Sequence, residues 1–292
     1  MRKLRVSAIS FLNTAPLMWD FDRGVPPGEA PVVSGDDPAA NPLYRDFDVE
    51  YTVPSRCADA LREGTADIGI VPVAAYASIP DLVVVPDVAI AAKGPVRSIL
   101  LVSKVPLERT RTLAADTSSR TSVALAQVLY HLWFGRIPEL VPLGPNLDHM
   151  LTRCDSALLI GDPALAVARS RYPTWDLAEE WERLTGKPFV FAFWAVRAAS
   201  LGEGRPELDV AGVFRNSRDR GLCPASLSAI ARCWAQRVHL SEAEVHRYLT
   251  QNIYYRLDEQ TLPGLQLFYR YAAECGALPL APPVRFVENL CR

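Results

Sequence analysis

Through the first two hundred residues, short apolar runs alternate with stretches whose apolar residues recur every three or four positions. That alternation is the signature of an α/β protein built on mostly parallel sheets. The runs at 4–10, 48–53, 67–71, 97–103, 112–115, 139–142, 156–160 and 189–196 read as strands. Several helices between them have legible ends. Ser55 is placed to cap a helix that runs through Arg62 and closes at Gly64, and Asp162 before Pro163 reads as an N-cap with proline at the first helical position. Val123, Ala126, Leu129, Tyr130 and Trp133 share one helical face over 118–134, and Gly135 supplies the stop.

From about residue 204 the pattern becomes helix after helix: 225–238, then 242–257 opened by the capping box Ser241-Glu-Ala-Glu244, then about 264–275 ended by Gly276. Val284-Arg-Phe-Val287 reads as a return to a sheet, and residues 22–47, rich in Pro, Gly and Asp, as one long surface excursion. Ala92-Lys-Gly-Pro-Val-Arg-Ser98 and Phe191-Ala-Phe-Trp-Ala-Val196 sit where a chain would cross between two lobes, once outward and once back. Lobe one is then 1–93 plus 197–292, lobe two is 98–192, and the crossings lie near 94–98 and 192–196. Such a plan leaves a ligand cleft between hinged lobes, with a helical C-terminal segment on the first.

Composition acts mainly by exclusion. A length of 292 residues, at about 150 per domain, allows two cores. Lys plus Arg, 31, against Asp plus Glu, 33, leaves a formal charge of -2, so no basic field invites nucleic acid or an anionic membrane. No apolar stretch reaches the roughly 20 residues of a membrane span. Arg2, Lys3 and Arg5 precede an apolar run that is too short and too polar for an export signal and meets Asn13 at once, so the expected location is the cytoplasm. The cysteines at 57, 154, 223, 233, 275 and 291 form no C-x-x-C pair and lie apart from the four histidines, which points to reduced, space-filling thiols and no metal site.

The chemistry concentrates in Asp116-Thr-Ser-Ser-Arg-Thr-Ser122, between a strand and the long helix. Five hydroxyls, the open N–H groups of a first helical turn, the positive end of the helix dipole and Arg120 make an anion site there; an ordinary cap would need only one hydroxyl. From Lys93 to Ser122 six cations face two acids, and Arg97 and Arg120 are the pair placed to meet a substrate with two carboxylates. Ser10-Phe-Leu-Asn-Thr14 ends the first strand, where Asn13 offers a donor and an acceptor to a ligand or, equally, to local backbone. Ser55-Arg56 and Pro72-Val73-Ala74 fill the next two strand-to-helix turns, as carboxylate-binding amides or simply as caps. Asp162 in Gly161-Asp162-Pro163 is an acid or base candidate if it is not a cap. There is no H-E-x-x-H, G-x-S-x-G, G-x-x-x-x-G-K-[ST] or G-x-G-x-x-G, which disfavours zinc protease, serine hydrolase, phosphate-loop and dinucleotide readings.

Six motifs in register over residues 4 to about 200 together resemble the chorismate dehydratases of menaquinone biosynthesis by the futalosine pathway. They are Ser10-Phe-Leu-Asn13, Gly64-Thr-Ala-Asp-Ile-Gly69, Gly94-Pro-Val-Arg-Ser98, Asp116-Thr-Ser-Ser-Arg-Thr-Ser122, Leu158-Leu-Ile-Gly-Asp-Pro163 and Pro188-Phe-Val-Phe-Ala-Phe-Trp194. The resemblance implies a two-lobed type-2 periplasmic-binding-protein-like fold without export. It implies loss of water from chorismate to give 3-[(1-carboxyvinyl)oxy]benzoate, with no cofactor, by a monomer or homodimer. Its cleft residues fall on Asn13, Ser55, Arg56, Ser98, Thr117, Ser118, Ser119, Arg120, Thr121, Gly161 and Asp162. Ser10, Val73, Arg97 and Trp194 complete the expected binding set, and Asn13 and Asp162 are the catalytic candidates.

Removing the C3 proton and the C4 hydroxyl makes the chorismate ring aromatic, so donors held against the ring carboxylate would favour the developing dienolate. The motifs supply no obvious base other than Asp162, which leaves the substrate's own side-chain carboxylate as the second option. Two rivals stand beside this reading: a non-catalytic cytoplasmic binder or sensor of a small carboxylate, and the same-fold dihydroxynaphthoate-forming enzyme later in the pathway. Gly94 to Ser98 and Phe191 to Trp194 match the dehydratase better than the latter.

Overall fold

The computed structural model describes residues 2–29, 46–201 and 208–287; most of the excursion expected at 22–47, residues 30–45, and Cys291 lie outside the described residues. The chain opens with β1 (Leu4–Ile9), a 3-10 segment (Leu12–Met18), α1 (Trp19–Asp22), β2 (Phe47–Thr52), α2 (Pro54–Glu63), β3 (Ile68–Pro72), α3 (Val73–Tyr76) and β4 (Leu82–Ala92). A second run holds β5 (Ile99–Ser103), β6 (Thr112–Asp116), α4 (Thr121–Phe134), β7 (Glu139–Leu143), α5 (Leu147–Arg153), β8 (Ser156–Ile160), α6 (Gly161–Leu165), β9 (Thr174–Asp176) and α7 (Leu177–Thr185). Then come β10 (Phe189–Arg197), α8 (Val210–Gly221), α9 (Pro224–Val238), α10 (Glu242–Arg247), a π-helical turn (Tyr248–Asn252) and α11 (Leu262–Glu274).

The strands form two five-stranded sheets, ordered β2-β1-β3-β10-β4 and β7-β6-β8-β5-β9. Both are mixed rather than mostly parallel. β1 runs parallel to β2 and β3, and β6 to β7 and β8, while β10 is antiparallel to β3 and β4 and β5 is antiparallel to β8 and β9. The antiparallel members are the strand that enters the second sheet and the one that rejoins the first. β10 is buried along almost its whole length and pairs on both sides within the first sheet. The segment expected at the return crossing, 192–196, is therefore the interior of a strand.

β4 is absent from the elements the sequence predicts, because Pro86 and Asp87 break the apolar run. In the structure that break is an irregularity, not an end. Pairing with β10 shifts between Ala89 and Val84, and Asp87 takes φ +62°, so the strand absorbs its proline in a bulge. The helix expected over 242–257 is α for one turn and a half, turns π at Tyr248 and ends at Asn252, after which Tyr254 makes an isolated bridge to Ala91. Val284 to Val287 returns to the first sheet through one bridge, Phe286 to Val84.

In β5 the period-two alternation splits the burial: Ile99 and Leu101 join the large core shared with the first sheet, while Leu100 and Val102 join a smaller core on the opposite face. α4 belongs to the second run by sequence, yet packs on α3, α11 and β10 as well as on α7 and β8. Its ends follow from its sequence. Gly135, at φ +65°, lets the chain turn while its N–H closes on the His131 carbonyl at 2.8 Å. Among the described residues no helix is long and apolar enough to cross a membrane.

Candidate active site

A cavity lies between the two sheets. Its lining combines strand ends and helix starts: Ile9, Ile90, Phe191 and Ala192 from the first sheet, Ile99 and Ile160 from the second, with Phe11, Asn13, Pro54, Pro72, Ser98, Ser119, Thr121, Ser122 and Gly161. Pro54 is the first residue of α2, where a missing N–H costs nothing, and Ser119, Thr121 and Ser122 surround the start of α4. Two helices of ten and fourteen residues thus aim their positive ends at one space.

The turn before α4 is held from behind. Asp116, buried at the end of β6, accepts from the Ser118 N–H at 2.9 Å, the Ser118 hydroxyl at 2.6 Å and the Ile160 N–H at 3.3 Å. Burial raises its pKa, and these donors oppose the rise. Ser119 Oγ accepts from the Ser122 N–H at 3.2 Å and so fixes the helix start. The backbone N–H groups of Arg120 and Thr121 have no acceptor among the described residues and remain available to an anion.

The walls are joined across the cleft. Thr121 Oγ1 donates to the Phe191 carbonyl at 3.0 Å and accepts from the Ala74 N–H at 3.2 Å. The Ser55 N–H donates to the Ser118 carbonyl at 3.1 Å, and the Leu12 N–H to Asp162 Oδ1 at 3.0 Å. Arg120 reaches Asp59 on α2 at 2.6 Å.

Of the residues predicted from sequence, the structure brings Asn13, Ser98, Ser119, Thr121 and Gly161 to the cavity lining. Ser10, Ser55, Arg56, Val73, Thr117 and Ser118 stand beside it in the turns, several with the backbone already engaged: the Ser10 N–H on Thr52, the Thr117 N–H on Leu143 and the Val73 carbonyl on the Tyr269 hydroxyl. Arg97 and Arg120 do not line it. Arg97 is fixed by its own N–H to Asp176 at 2.6 Å and takes φ +64°, and Arg120 spends its charge on Asp59 at the rim. Trp194 lies within β10, its ring centroid 4.5 Å from that of Phe214, and its Nε1 finds no acceptor among the described residues.

Asp162 is not a cap. Ile160 takes the N-cap position of α6, and the Asp162 carboxylate receives Leu12 instead; burial pushes its pKa up to about 6, against that N–H and the more distant Arg237. Ser55 likewise follows Pro54 inside α2, with Val53 as N-cap. Sequence reasoning passed over the apolar walls. Phe11 sat inside a motif chosen for Asn13, Ile90 belongs to the unpredicted β4, and nothing in the local sequence separates Phe191 from its apolar neighbours.

Among the described residues, none that lines the cavity carries a charge or an ionisable side chain. An anion is met there by hydroxyls, amides and helix ends alone, in surroundings where such dipoles act at low dielectric. The Asn13 Oδ1 accepts from the Thr14 hydroxyl at 3.3 Å, and its Nδ2 has no acceptor among the described residues. Nor is there, among the described residues, a group of three or more His, Cys, Asp or Glu side chains arranged to hold a metal ion.

Comparison with known proteins adds four findings. Residues 4–274 match the model of a family described as menaquinone biosynthesis. The chain is 30% identical over 254 residues to the chorismate dehydratase of Thermus thermophilus, a match covering 81% of this chain and 89% of that one. The alkanesulfonate-binding protein SsuA of Xanthomonas axonopodis pv. citri superposes with a TM-score of 0.65 at 17% identity, over 96% of both chains. A Candida albicans protein with the generic periplasmic binding protein fold superposes at 0.61 and 14% identity, over 97% of this chain and 92% of that one. These two likenesses concern fold alone, and the fold is that of the periplasmic binding proteins.

Proposed function

Because the chain belongs to the menaquinone-biosynthesis family, we propose that it is a chorismate dehydratase, a hydro-lyase that converts chorismate to 3-[(1-carboxyvinyl)oxy]benzoate. The observation that carries this reading is the hydroxyl- and amide-lined start of α4 facing an uncharged, apolar-walled cavity between the two sheets.

Chorismate presents a cyclohexadiene ring and two carboxylates. Phe11 and Phe191 offer the ring apolar walls, and Ser119, Ser122 and the open N–H groups of Arg120 and Thr121 receive the ring carboxylate. Loss of the C3 proton sends charge through the diene into that carboxylate. Donors fixed in advance on the turn behind Asp116 bind this charge more strongly than the ground state, which lowers the barrier. The Asn13 amide, with its N–H₂ open, donates to the C4 hydroxyl as it departs.

The base is the substrate's own side-chain carboxylate. No lining residue is ionisable, and Asp162 is committed to Leu12 outside the lining. The proton leaves C3 for that carboxylate, the C4–O bond breaks, and the departing hydroxide takes up the same proton from the carboxylic acid, so that one water is lost, the carboxylate is restored and the ring becomes aromatic. Incubating the purified protein with chorismate tests the proposal: the expected product is lighter by one water and absorbs as an aromatic ether. Chorismate recovered bound but unchanged would overturn it in favour of a binding protein.

A further inference from the structure

We propose that Tyr248 is a positioning residue for this reaction, acting through Ser98; the inference rests on the dehydratase reading above. Ser98 lines the cavity at the entry to β5 and is 1% exposed. Its backbone is pinned by the Gly161 N–H, which donates to the Ser98 carbonyl at 2.8 Å. Its side chain is pinned from the other side of the molecule. Tyr248, also 1% exposed and 150 residues away in the helical C-terminal segment, donates its hydroxyl proton to Ser98 Oγ at 2.8 Å.

A serine hydroxyl has one proton. With its oxygen already accepting from Tyr248, and no acceptor for its own proton among the described residues, Ser98 is left as a donor facing the cavity. The chain Tyr248 O–H to Ser98 O–H to ligand is polarised in one direction, and each link strengthens the next. The backbone is shaped for this contact: the chain leaves α geometry at Tyr248 and forms a π turn, a departure often found at functional positions. Burial holds the Tyr248 phenol well above its ordinary pKa, with the negative charges of Asp162 and Asp176 acting the same way and Arg97 against it, so it stays a donor through the working pH range. Ser98 is the group that touches substrate, and Tyr248 sets the direction of its proton.

The test is a double-mutant cycle with Tyr248→Phe and Ser98→Ala, reading kcat and KM on chorismate and the melting temperature of all four proteins. Tyr248→Phe is expected to lower kcat about 10-fold with Ser98 present, the size of one hydrogen bond, and less than about 2-fold on the Ser98→Ala background. Ser98→Ala alone strands a buried phenol, so the double variant should melt above it. Equal losses in both backgrounds, no loss in either, or a Tyr248→Phe protein that does not fold would each make Tyr248 a packing residue and overturn the proposal. A wild-type protein that leaves chorismate untouched is a different failure: it removes the dehydratase reading, and this inference with it.

Discussion

Thr121→Val keeps the shape of the side chain and removes one hydroxyl, so it isolates what that hydroxyl does. In the structure it ties the first residue of α4 to the Phe191 carbonyl and to the Ala74 N–H, at 3.0 and 3.2 Å, in a site only 3% exposed. Two neutral hydrogen bonds contribute about 1 kcal/mol each, and stranding a buried partner adds about 1 to 3 kcal/mol. A loss of about 3–5 kcal/mol follows, which for a chain of this size lowers the melting temperature by about 6–20 °C. Thr121→Ser keeps both bonds and gives up one methyl, about 1 kcal/mol. Thermal melts and urea titrations of the three proteins measure the difference, and KM for chorismate should rise in the valine variant as the α3, α4 and β10 junction loosens. A valine variant that melts within about 2 °C of wild type, or a serine variant as damaged as the valine one, would refute the reasoning.

Asp162→Asn should retain turnover within about threefold, since the amide oxygen still accepts from Leu12; a loss beyond about a thousandfold would make Asp162 the base. Because burial raises its pKa from 3.8 to about 6, ionising Asp162 is harder in the fold than in the unfolded chain. Its stabilising share is complete below about pH 4 and lost as pH rises through 6. The melting advantage of Asp162→Asn over wild type should therefore widen across that window, and a gap that stays flat would contradict the assignment. Trp194→Phe and Trp234→Phe open similar gaps in the core, but the Trp194 N–H has no acceptor among the described residues whereas Trp234→Phe also loses a 2.7 Å bond to the Gly24 carbonyl, so the latter should cost about 1–3 kcal/mol more by urea titration, and equal costs would contradict this. Gly161→Ala places a Cβ 2.6 Å from the Phe11 ring at φ +62°, so the ring must swing into the cavity, and steady-state kinetics should show KM rising about tenfold or more; an unchanged KM would mean Phe11 is not a wall of the site.

The α/β two-sheet plan and the hydroxyl-rich turn that opens α4 were legible because both are local. A strand announces itself in five residues, and a hydroxyl-rich turn before a long helix needs no distant partner. What could not be read depends on pairings far apart in sequence. Arg120 looks like a ligand cation until Asp59, 61 positions earlier, folds against it, and Arg97 until Asp176 holds its backbone. Asp162 has every mark of a cap, and only the fold brings Leu12 to it from 150 residues away. β4 was hidden by a Pro-Asp pair that a bulge tolerates, and with it Ile90 was lost from the site. Tyr248 had no signal at all, since a helical period places it on a face without saying which hydroxyl it will meet.

Several of the bonds that join elements on the two sides of the cavity are made by residues at its edge, among them Thr121, Ser118 and Asp162. A ligand that enters or leaves between the sheets therefore loads these contacts. Weakening the stitch at Thr121 should then speed the escape of bound product in a stopped-flow chase even as it costs stability.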